Sequence, residues 1–155
     1  MTDWNRTYMG FAVTVARHSK AEKEKVGCVI VKNNSVISLG YNGTPPGYDN
    51  TCEDKHMLSN TSYRYITKPE VVHAEVNAIA KLARAPISAE NSLLYVTKPP
   101  CFECAKLIVM AGIKYVFFLG TVEDEMKDSI SFLQLNNVTV IRMTSIKYGD
   151  ENGYY

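Results

Sequence analysis

Residues 73–119 read HAEVNAIAKLARAPISAENSLLYVTKPPCFECAKLIVMAGIKYVFFL and decide the fold of this 155-residue chain. Apolar side chains recur there at helical spacing until Pro86, which ends the helix because a proline has no amide hydrogen to donate. Residues 93–96 and the almost wholly apolar residues 113–119 are predicted strands, and residues 101–111 are a predicted helix. The stretch therefore predicts two alternations of helix and strand.

The segments on both sides of this stretch extend the predicted sheet. Apolar residues at three- and four-residue spacing within 8–16 predict a first helix, and the β-branched runs 26–31 and 36–39 predict a hairpin. Residues 126–135 indicate a further helix and residues 138–141 a last strand. We therefore expect an α/β fold in which an antiparallel pair feeds a mixed sheet with helices on both faces.

One domain is expected over residues 1–155, because the length is close to the commonest domain size and 46% of the residues are hydrophobic. Within it, residues 40–72 form a polar, tyrosine-rich stretch punctuated by Gly and Pro, which predicts a long loop insertion with only short helical pieces. Insertions of this length inside a domain are usually functional. Residues 142–155 predict a polar, loosely held tail.

The balance of charge argues against a polynucleotide as the main partner. The chain has 17 Lys and Arg against 16 Asp and Glu, so it lacks the basic field that would neutralise many phosphates. Its N-terminal residues lack the layout of a signal peptide, and no window approaches about 18 uninterrupted apolar residues. We expect a cytoplasmic protein, in the host cytoplasm if the chain is viral, that binds neither nucleic acid nor membranes and acts on a small molecule.

Two motifs at predicted helix starts carry the chemistry: H-x-E at residues 73–75 and P-C-x-x-C at residues 100–104. Cys101 and Cys104 are three residues apart, so both thiols lie on one face of a helix, whose first-turn amides stabilise thiolates. With the imidazole of His73 they make three ligands for zinc. Three protein ligands leave the fourth tetrahedral position open to water, as in catalytic zinc sites.

Glu75 is the predicted catalytic residue. It is two residues from His73, about 200° around a helix, so its carboxylate does not face the same side of the metal. It can instead flank the bound water, take its proton and return it to a leaving amine. Both transfers are required when hydroxide replaces an amino group on a heteroaromatic ring.

Each part of the site also has a plainer interpretation. A single His at a helix start is usually a cap or a surface residue, and a single C-x-x-C can be a redox pair. The conjunction favours a metal site, since a redox pair leaves His73 and Glu75 unexplained. Of the other two cysteines, Cys28 is expected in the core, while Cys52 and His56 have the spacing of half a structural zinc site that no further pair completes.

At these residues the chain resembles the deoxycytidylate (dCMP) deaminases of the zinc-dependent cytidine deaminase-like superfamily, over about residues 4–141. The zinc signature by itself points only to the superfamily, and the stretches GYNG, HAEVNAI and PCFECAK point to dCMP. The further matching stretches are Ser19-Lys20, Val26-Gly27-Cys28-Val29-Ile30-Val31, Tyr95-Val96-Thr97 and Ala111-Gly112-Ile113-Lys114.

The resemblance implies a three-layer α/β/α cytidine deaminase-like fold around a five-stranded mixed sheet, with His73, Cys101 and Cys104 as zinc ligands. Glu75 would be the proton shuttle. The implied reaction is hydrolytic deamination of dCMP to dUMP and ammonia, which supplies thymidylate synthesis. Enzymes of this kind are typically homohexamers that dCTP activates and dTTP inhibits, with Mg²⁺ on the effector. The segment that goes with this allosteric regulation is Gly40-Tyr41-Asn42-Gly43.

The resemblance also implies contacts to the substrate. Asn42 would hydrogen-bond the deoxyribose, and the amide of Ala74 would meet the pyrimidine carbonyl. Lys20 or Lys25, near the end of the first helix, are candidates for the 5′-phosphate, because a charge-assisted bond would distinguish a nucleotide from a nucleoside.

Two other functions stay open on the sequence. One is a different deaminase of the superfamily, acting on cytidine, deoxycytidine or adenosine in transfer RNA, although the near-neutral charge argues against RNA. The other is a non-catalytic module that binds zinc or a dNTP. Glu75 beside an open coordination position argues against such a module, because a structural site needs neither.

Overall fold

The computed structural model describes residues 3–144 of the chain, which form four helices and seven strands. The helices are α1 (Asp3–Ala16), α2 (Ala74–Arg84), α3 (Phe102–Met110) and α4 (Asp124–Leu135). The strands are β1 (Gly27–Lys32), β2 (Ser35–Tyr41), β3 (Glu53–Met57), β4 (Tyr63–Thr67), β5 (Leu93–Val96), β6 (Tyr115–Phe118) and β7 (Thr139–Arg142). Apart from β3 and β4, these elements match the predicted ones to within a few residues at their ends.

The main sheet has five strands in the order β2-β1-β5-β6-β7. β1 is antiparallel to both β2 and β5, whereas β5, β6 and β7 run parallel, which confirms the predicted mixed sheet. The β1–β2 hairpin turns through Asn33 and Asn34, with φ angles of 50° and 59°. Asn tolerates this left-handed region, and two such residues match the twist of the strands that they join.

The two faces of the sheet carry different helices. On β1, Val29 packs with α1, whereas its neighbour Ile30 packs with the cluster formed by α2, α3 and α4, since successive side chains of a strand point to opposite faces. Tyr95 and Leu94 of β5 divide in the same way, and the Tyr95 hydroxyl donates to Asn5 Oδ1 of α1 at 2.8 Å. The predicted α/β/α arrangement of three layers is therefore confirmed.

The prediction of an irregular insertion over residues 40–72 with short helical pieces is wrong. Strands β3 and β4 form a separate antiparallel sheet of two strands there. All but two of the ten strand residues are exposed, so neither face has the apolar alternation by which a half-buried strand is recognised in a sequence. Contacts within the hairpin include the ammonium of Lys55 at 3.7 Å from the ring centroid of Tyr63.

The predicted tail begins later than expected. Arg142 is the last residue of β7, and the side chain of Met143 is 2% exposed within the core on the α1 side. The amide of Met143 donates to the carbonyl of Phe118 at 2.8 Å, which continues the β6–β7 pairing by one residue. Residues 145–155 of the predicted tail lie outside the described residues, and a single domain over 1–155 stays a prediction. None of the helices within residues 3–144 is long and apolar enough to cross a membrane.

Candidate metal and catalytic site

Two helix starts meet beside the end of β5. His73 is the residue before α2 and Cys101 the residue before α3, and both have extended backbones, with φ/ψ of −68°/155° and −72°/169°. Neither side chain caps its own helix by a hydrogen bond, so both are available to converge. Cys104 lies in the first turn of α3 and is buried. The order of elements therefore brings the two sequence motifs to one place.

The three side chains predicted as ligands form one compact group. His73 Nδ1 lies 3.4 Å from Cys101 Sγ and 3.4 Å from Cys104 Sγ, and all three atoms lie within 4.8 Å of one another. A tetrahedral zinc ion with ordinary bond lengths holds nitrogen and sulfur about 3.6 Å apart. Within residues 3–144 no other cluster of three or more His, Cys, Asp or Glu could hold a metal ion. The donor set and its spacing therefore fit zinc.

Charge in this group is shared unequally. Hydrogen bonds from Cys104 and His73 lower the pKa of the Cys101 thiol to about 4. The hydrogen bond that the His73 ring donates to Cys101 raises the pKa of His73 in turn. The N-terminal ends of α2 and α3 also favour negative charge at this point. The pocket thus stabilises a thiolate, which is the form that binds a metal.

The residue before Cys101 is held from the far side by α4. Ser129, which is fully buried, donates to the carbonyl of Pro100 at 2.7 Å and lies 2.8 Å from the carbonyl of Met126. This contact fixes the entry into α3, and with it the direction of the Cys101 side chain. The role of Ser129 could not be predicted from the sequence, because nothing in the pattern of α4 indicates which residue Ser129 contacts.

Glu75 lies beside the ligand group but is not part of it. Its side chain is 4% exposed in the first turn of α2 and lines the same cleft as His73 and Cys101. Burial raises the pKa of Glu75, and a hydrogen bond from its own backbone amide, the charge of His73 and a hydrogen bond with the Cys104 thiol partly oppose this shift. A buried carboxyl with a raised pKa, next to a metal-binding group, has the chemistry of a general acid and base.

The cleft over this group has a volume of about 180 Å³. Its walls come from α2, from the segment before α3 and from the segment of Lys23, Glu24 and Val26. Asn42 lines it, but its side-chain amide is also engaged with the wall: Oδ1 accepts from the amide of Val26 and Nδ2 donates to the carbonyl of Glu24, both at 2.8 Å. Ala74, fully buried at the first position of α2, has an amide for which a helix supplies no partner.

The cations of the cleft are not the predicted ones. Lys23 and Lys98 line it, and Lys98 forms an ion pair with Glu24. Lys20 is exposed and does not line the cleft, while Lys25 lines a separate cavity of about 990 Å³. The sequence could not show these directions, because residues 20–25 have no regular period and tertiary hydrogen bonds set their course.

The segment predicted to be regulatory packs the end of β2 against α2. A Cβ on Gly40 would lie 2.4 Å from the carbonyl oxygen of Ala74, so only glycine allows this approach. The carbonyl of Tyr41 accepts from Asn77 Nδ2 at 2.9 Å. Gly43 bridges to Val72 by two backbone hydrogen bonds, yet a Cβ there would meet nothing within 4 Å.

Comparison with known proteins identifies the family. The family model described as "Cytidine and deoxycytidylate deaminase zinc-binding region" matches residues 2–120. The deoxycytidylate deaminase of Mycobacterium phage D29 is 35% identical in an alignment of 122 positions, which covers 75% of this chain and 94% of that protein. The chain belongs to the deoxycytidylate deaminase family. This confirms the resemblance that the three motifs indicated.

Two further members of the family agree along most of the chain. The deoxycytidylate deaminase of Enterobacteria phage T4 is 35% identical in an alignment of 150 positions, which covers 76% of this chain and 78% of that protein. The crystal structure of dCMP deaminase from cyanophage S-TIM5, in complex with dCMP and dUMP, matches with a TM-score of 0.78 and 36% identity. That match covers 92% of this chain and 98% of the cyanophage chain, so the fold is shared almost in full.

Proposed function

We propose that this chain catalyses the hydrolytic deamination of dCMP to dUMP and ammonia, and so supplies thymidylate synthesis. The observation that carries the proposal is the group of His73, Cys101 and Cys104 with Glu75 buried beside it in one cleft. Membership of the deoxycytidylate deaminase family supports the same substrate. The cyanophage relative binds both the proposed substrate and the proposed product.

The residues of the cleft have separate roles in this reaction. His73, Cys101 and Cys104 would hold zinc, which when bound lowers the pKa of a water molecule to about 7. The Glu75 carboxylate accepts the proton of the attacking water and passes it to the departing amino group. Burial raises the pKa of Glu75, which favours return of the proton to the leaving group after the carboxylate has taken it. The amide of Ala74 donates to the pyrimidine carbonyl and orients the ring.

We assign the 5′-phosphate to Lys23 and Lys98 rather than to Lys20 or Lys25. The cleft, at about 180 Å³, is smaller than the roughly 300–1,000 Å³ of pockets that enclose drug-sized ligands, so it suits a pyrimidine ring with the sugar phosphate at its mouth. The Lys98 side chain is 37% exposed and Glu24 balances its charge in the free protein. A phosphate would give it a stronger, doubly charged partner.

A substrate panel on the zinc-loaded protein tests the reaction. We expect turnover of dCMP, and at least a tenfold lower kcat/KM for deoxycytidine, which lacks the phosphate. Glu75→Gln, with zinc content unchanged, should lower kcat by about 10²–10⁴-fold, the usual contribution of a general acid and base. A Glu75→Gln enzyme at the wild-type rate would refute the mechanism, and equal use of both substrates would refute the phosphate contact.

We also propose control by dCTP as activator and dTTP as inhibitor, each with Mg²⁺, at the segment Gly40-Tyr41-Asn42-Gly43. The open space around Gly43 supports this role, because no contact within its own described chain requires glycine there. A regulator bound at this segment can act on the site through β2, since Gly40 touches the first turn of α2. Rates at sub-saturating dCMP, with and without each effector, test the proposal, and an unchanged rate with both effectors contradicts it.

A homohexamer acting in the cytoplasm is the assembly that we propose. Large apolar side chains exposed on α1 and on the β3–β4 hairpin support contacts between subunits, since exposed apolar patches often mark interfaces. They are Trp4, Phe11, Met57, Tyr63 and Ile66. Light scattering on the zinc-loaded protein tests this directly. A mass of one subunit with and without effectors would contradict it.

A further inference from the structure

The insertion of residues 40–72 contributes one carboxylate, that of Glu53, to the lining of the catalytic cleft, beside Asn42, Thr67 and Val71. Glu53 is the first residue of β3, and it is 7% exposed although both strands of the hairpin are otherwise mostly solvated. The root of the hairpin is closed behind it, because the amide of Lys68 donates to the carbonyl of Cys52 at 2.9 Å. Glu53 also lines the cleft that contains His73.

Both oxygens of the Glu53 carboxylate bind backbone amides. Oε2 accepts from the amide of Glu22 at 3.0 Å and Oε1 from the amide of Lys23 at 3.4 Å. These two amides lie in a segment without helix or strand, between α1 and β1, so secondary structure gives them no partner. Hydrogen bonds to a charged acceptor are roughly twice as strong as those between neutral groups. The Glu53 carboxylate therefore fixes the backbone of the segment between α1 and β1 by contacts from another part of the chain.

The held segment is one wall of the cleft. It carries Lys23 and also Glu24, which pairs with Lys98. Its other end is fixed by Asn42, through the amide of Val26 and the carbonyl of Glu24. The wall is thus fastened at two points, by Asn42 just after the end of β2 and by Glu53 at the start of β3.

We propose that Glu53 is a positioning residue for the substrate phosphate. It holds the backbone at residues 22–23, and through it sets where Lys23 and the Glu24–Lys98 pair stand at the mouth of the cleft. The proposal rests on the proposed function, because it takes dCMP as the substrate. It assigns a role to the insertion that does not depend on any effector.

Glu53→Gln tests the proposal, with Asp54→Asn as its matched control. Glutamine keeps the shape of the side chain but replaces one acceptor oxygen by an NH₂ group, which cannot accept from an amide. Asp54 is the next residue of β3 and is exposed, and its side chain lies 3.9 Å from the Lys68 ammonium rather than on the wall. Both variants lose one negative charge, so a difference between them reports the two amide contacts.

For Glu53→Gln we expect KM for dCMP to rise about tenfold, with kcat within twofold of the wild type. The ratio of kcat/KM for dCMP to that for deoxycytidine should fall, because the wall would contact the 5′-phosphate, which only the nucleotide has. Hydrogen exchange of the amides of Glu22 and Lys23 should become faster in the same variant. Asp54→Asn should leave all three measurements at their wild-type values.

The outcomes separate this inference from the proposed function. A wild-type protein that does not turn over dCMP contradicts the proposed function. Wild-type turnover with an unchanged KM in Glu53→Gln contradicts the positioning role alone, and so does an equal loss in Asp54→Asn. Unchanged exchange at Glu22 and Lys23 contradicts the clamp itself, whatever the activity.

Discussion

Replacing Gly40 by alanine tests how closely the N-terminal end of α2 must approach the sheet. The added Cβ would lie 2.4 Å from the carbonyl oxygen of Ala74 and 2.6 Å from the amide nitrogen of Ala78. Both are backbone atoms, so a rotamer change cannot relieve the contact. α2 and β2 have to move apart.

The size of the movement follows from these distances. Ordinary van der Waals contact begins at 3.4 Å, so the separation must grow by about 1 Å from 2.4 Å. Overpacking of this kind costs about 1–3 kcal/mol, and two backbone clashes favour the upper end. For a protein of this size about 3 kcal/mol lowers Tm by about 6–12 °C. Because α2 carries Glu75, a displacement of about 1 Å should also lower kcat by about 100-fold.

Gly43→Ala is the matched control, three residues further along the same motif. Its Cβ would meet nothing within 4 Å, and its φ is not in the left-handed region. We expect its free energy of unfolding to stay within about 0.5 kcal/mol of the wild type, or to rise slightly because the unfolded chain loses freedom. Urea unfolding of the zinc-loaded proteins measures both variants. A Gly40→Ala protein with wild-type stability and kcat would refute the inferred close packing of β2 on α2.

Three further outcomes follow from the site. Ser129→Ala should weaken zinc binding by about 10–100-fold, because the carbonyl of Pro100, just before the ligand Cys101, loses its hydrogen bond. Competition with a chelator measures the affinity for zinc, and an unchanged affinity contradicts this prediction. Cys28 and Cys52 should stay unreactive towards a thiol reagent in the folded protein at pH 7, since both are at most 1% exposed and burial raises the pKa of each thiol. Peptide mapping identifies any labelled cysteine, and rapid labelling of either one contradicts this prediction. Removal of zinc by a chelator should abolish dCMP turnover, and added zinc should restore it; full activity in the metal-free protein would exclude the proposed role of the metal.

The sequence by itself determined the sheet, the helices and the group that fits zinc. Its information is local: apolar residues at a helical or strand period, two Asn in a turn, and ligands at the starts of two helices. A residue just before a helix lies at the N-terminal end of that helix, so the place of its side chain relative to the helix is known. The spacing of His73, Cys101 and Cys104 therefore already indicated that they would meet, and the structure has them within 4.8 Å.

Only the tertiary structure decided the rest of the cleft. Lys23 and Lys98 line it while Lys20 and Lys25 do not, and Glu53 reaches it from a hairpin that the sequence indicated as irregular. These positions depend on contacts between residues far apart in the chain, such as the bonds from Glu53 to residues 22 and 23. Where a segment has no hydrophobic period, its direction is set by the groups that accept hydrogen bonds from its amides. Those groups are known only from the folded structure.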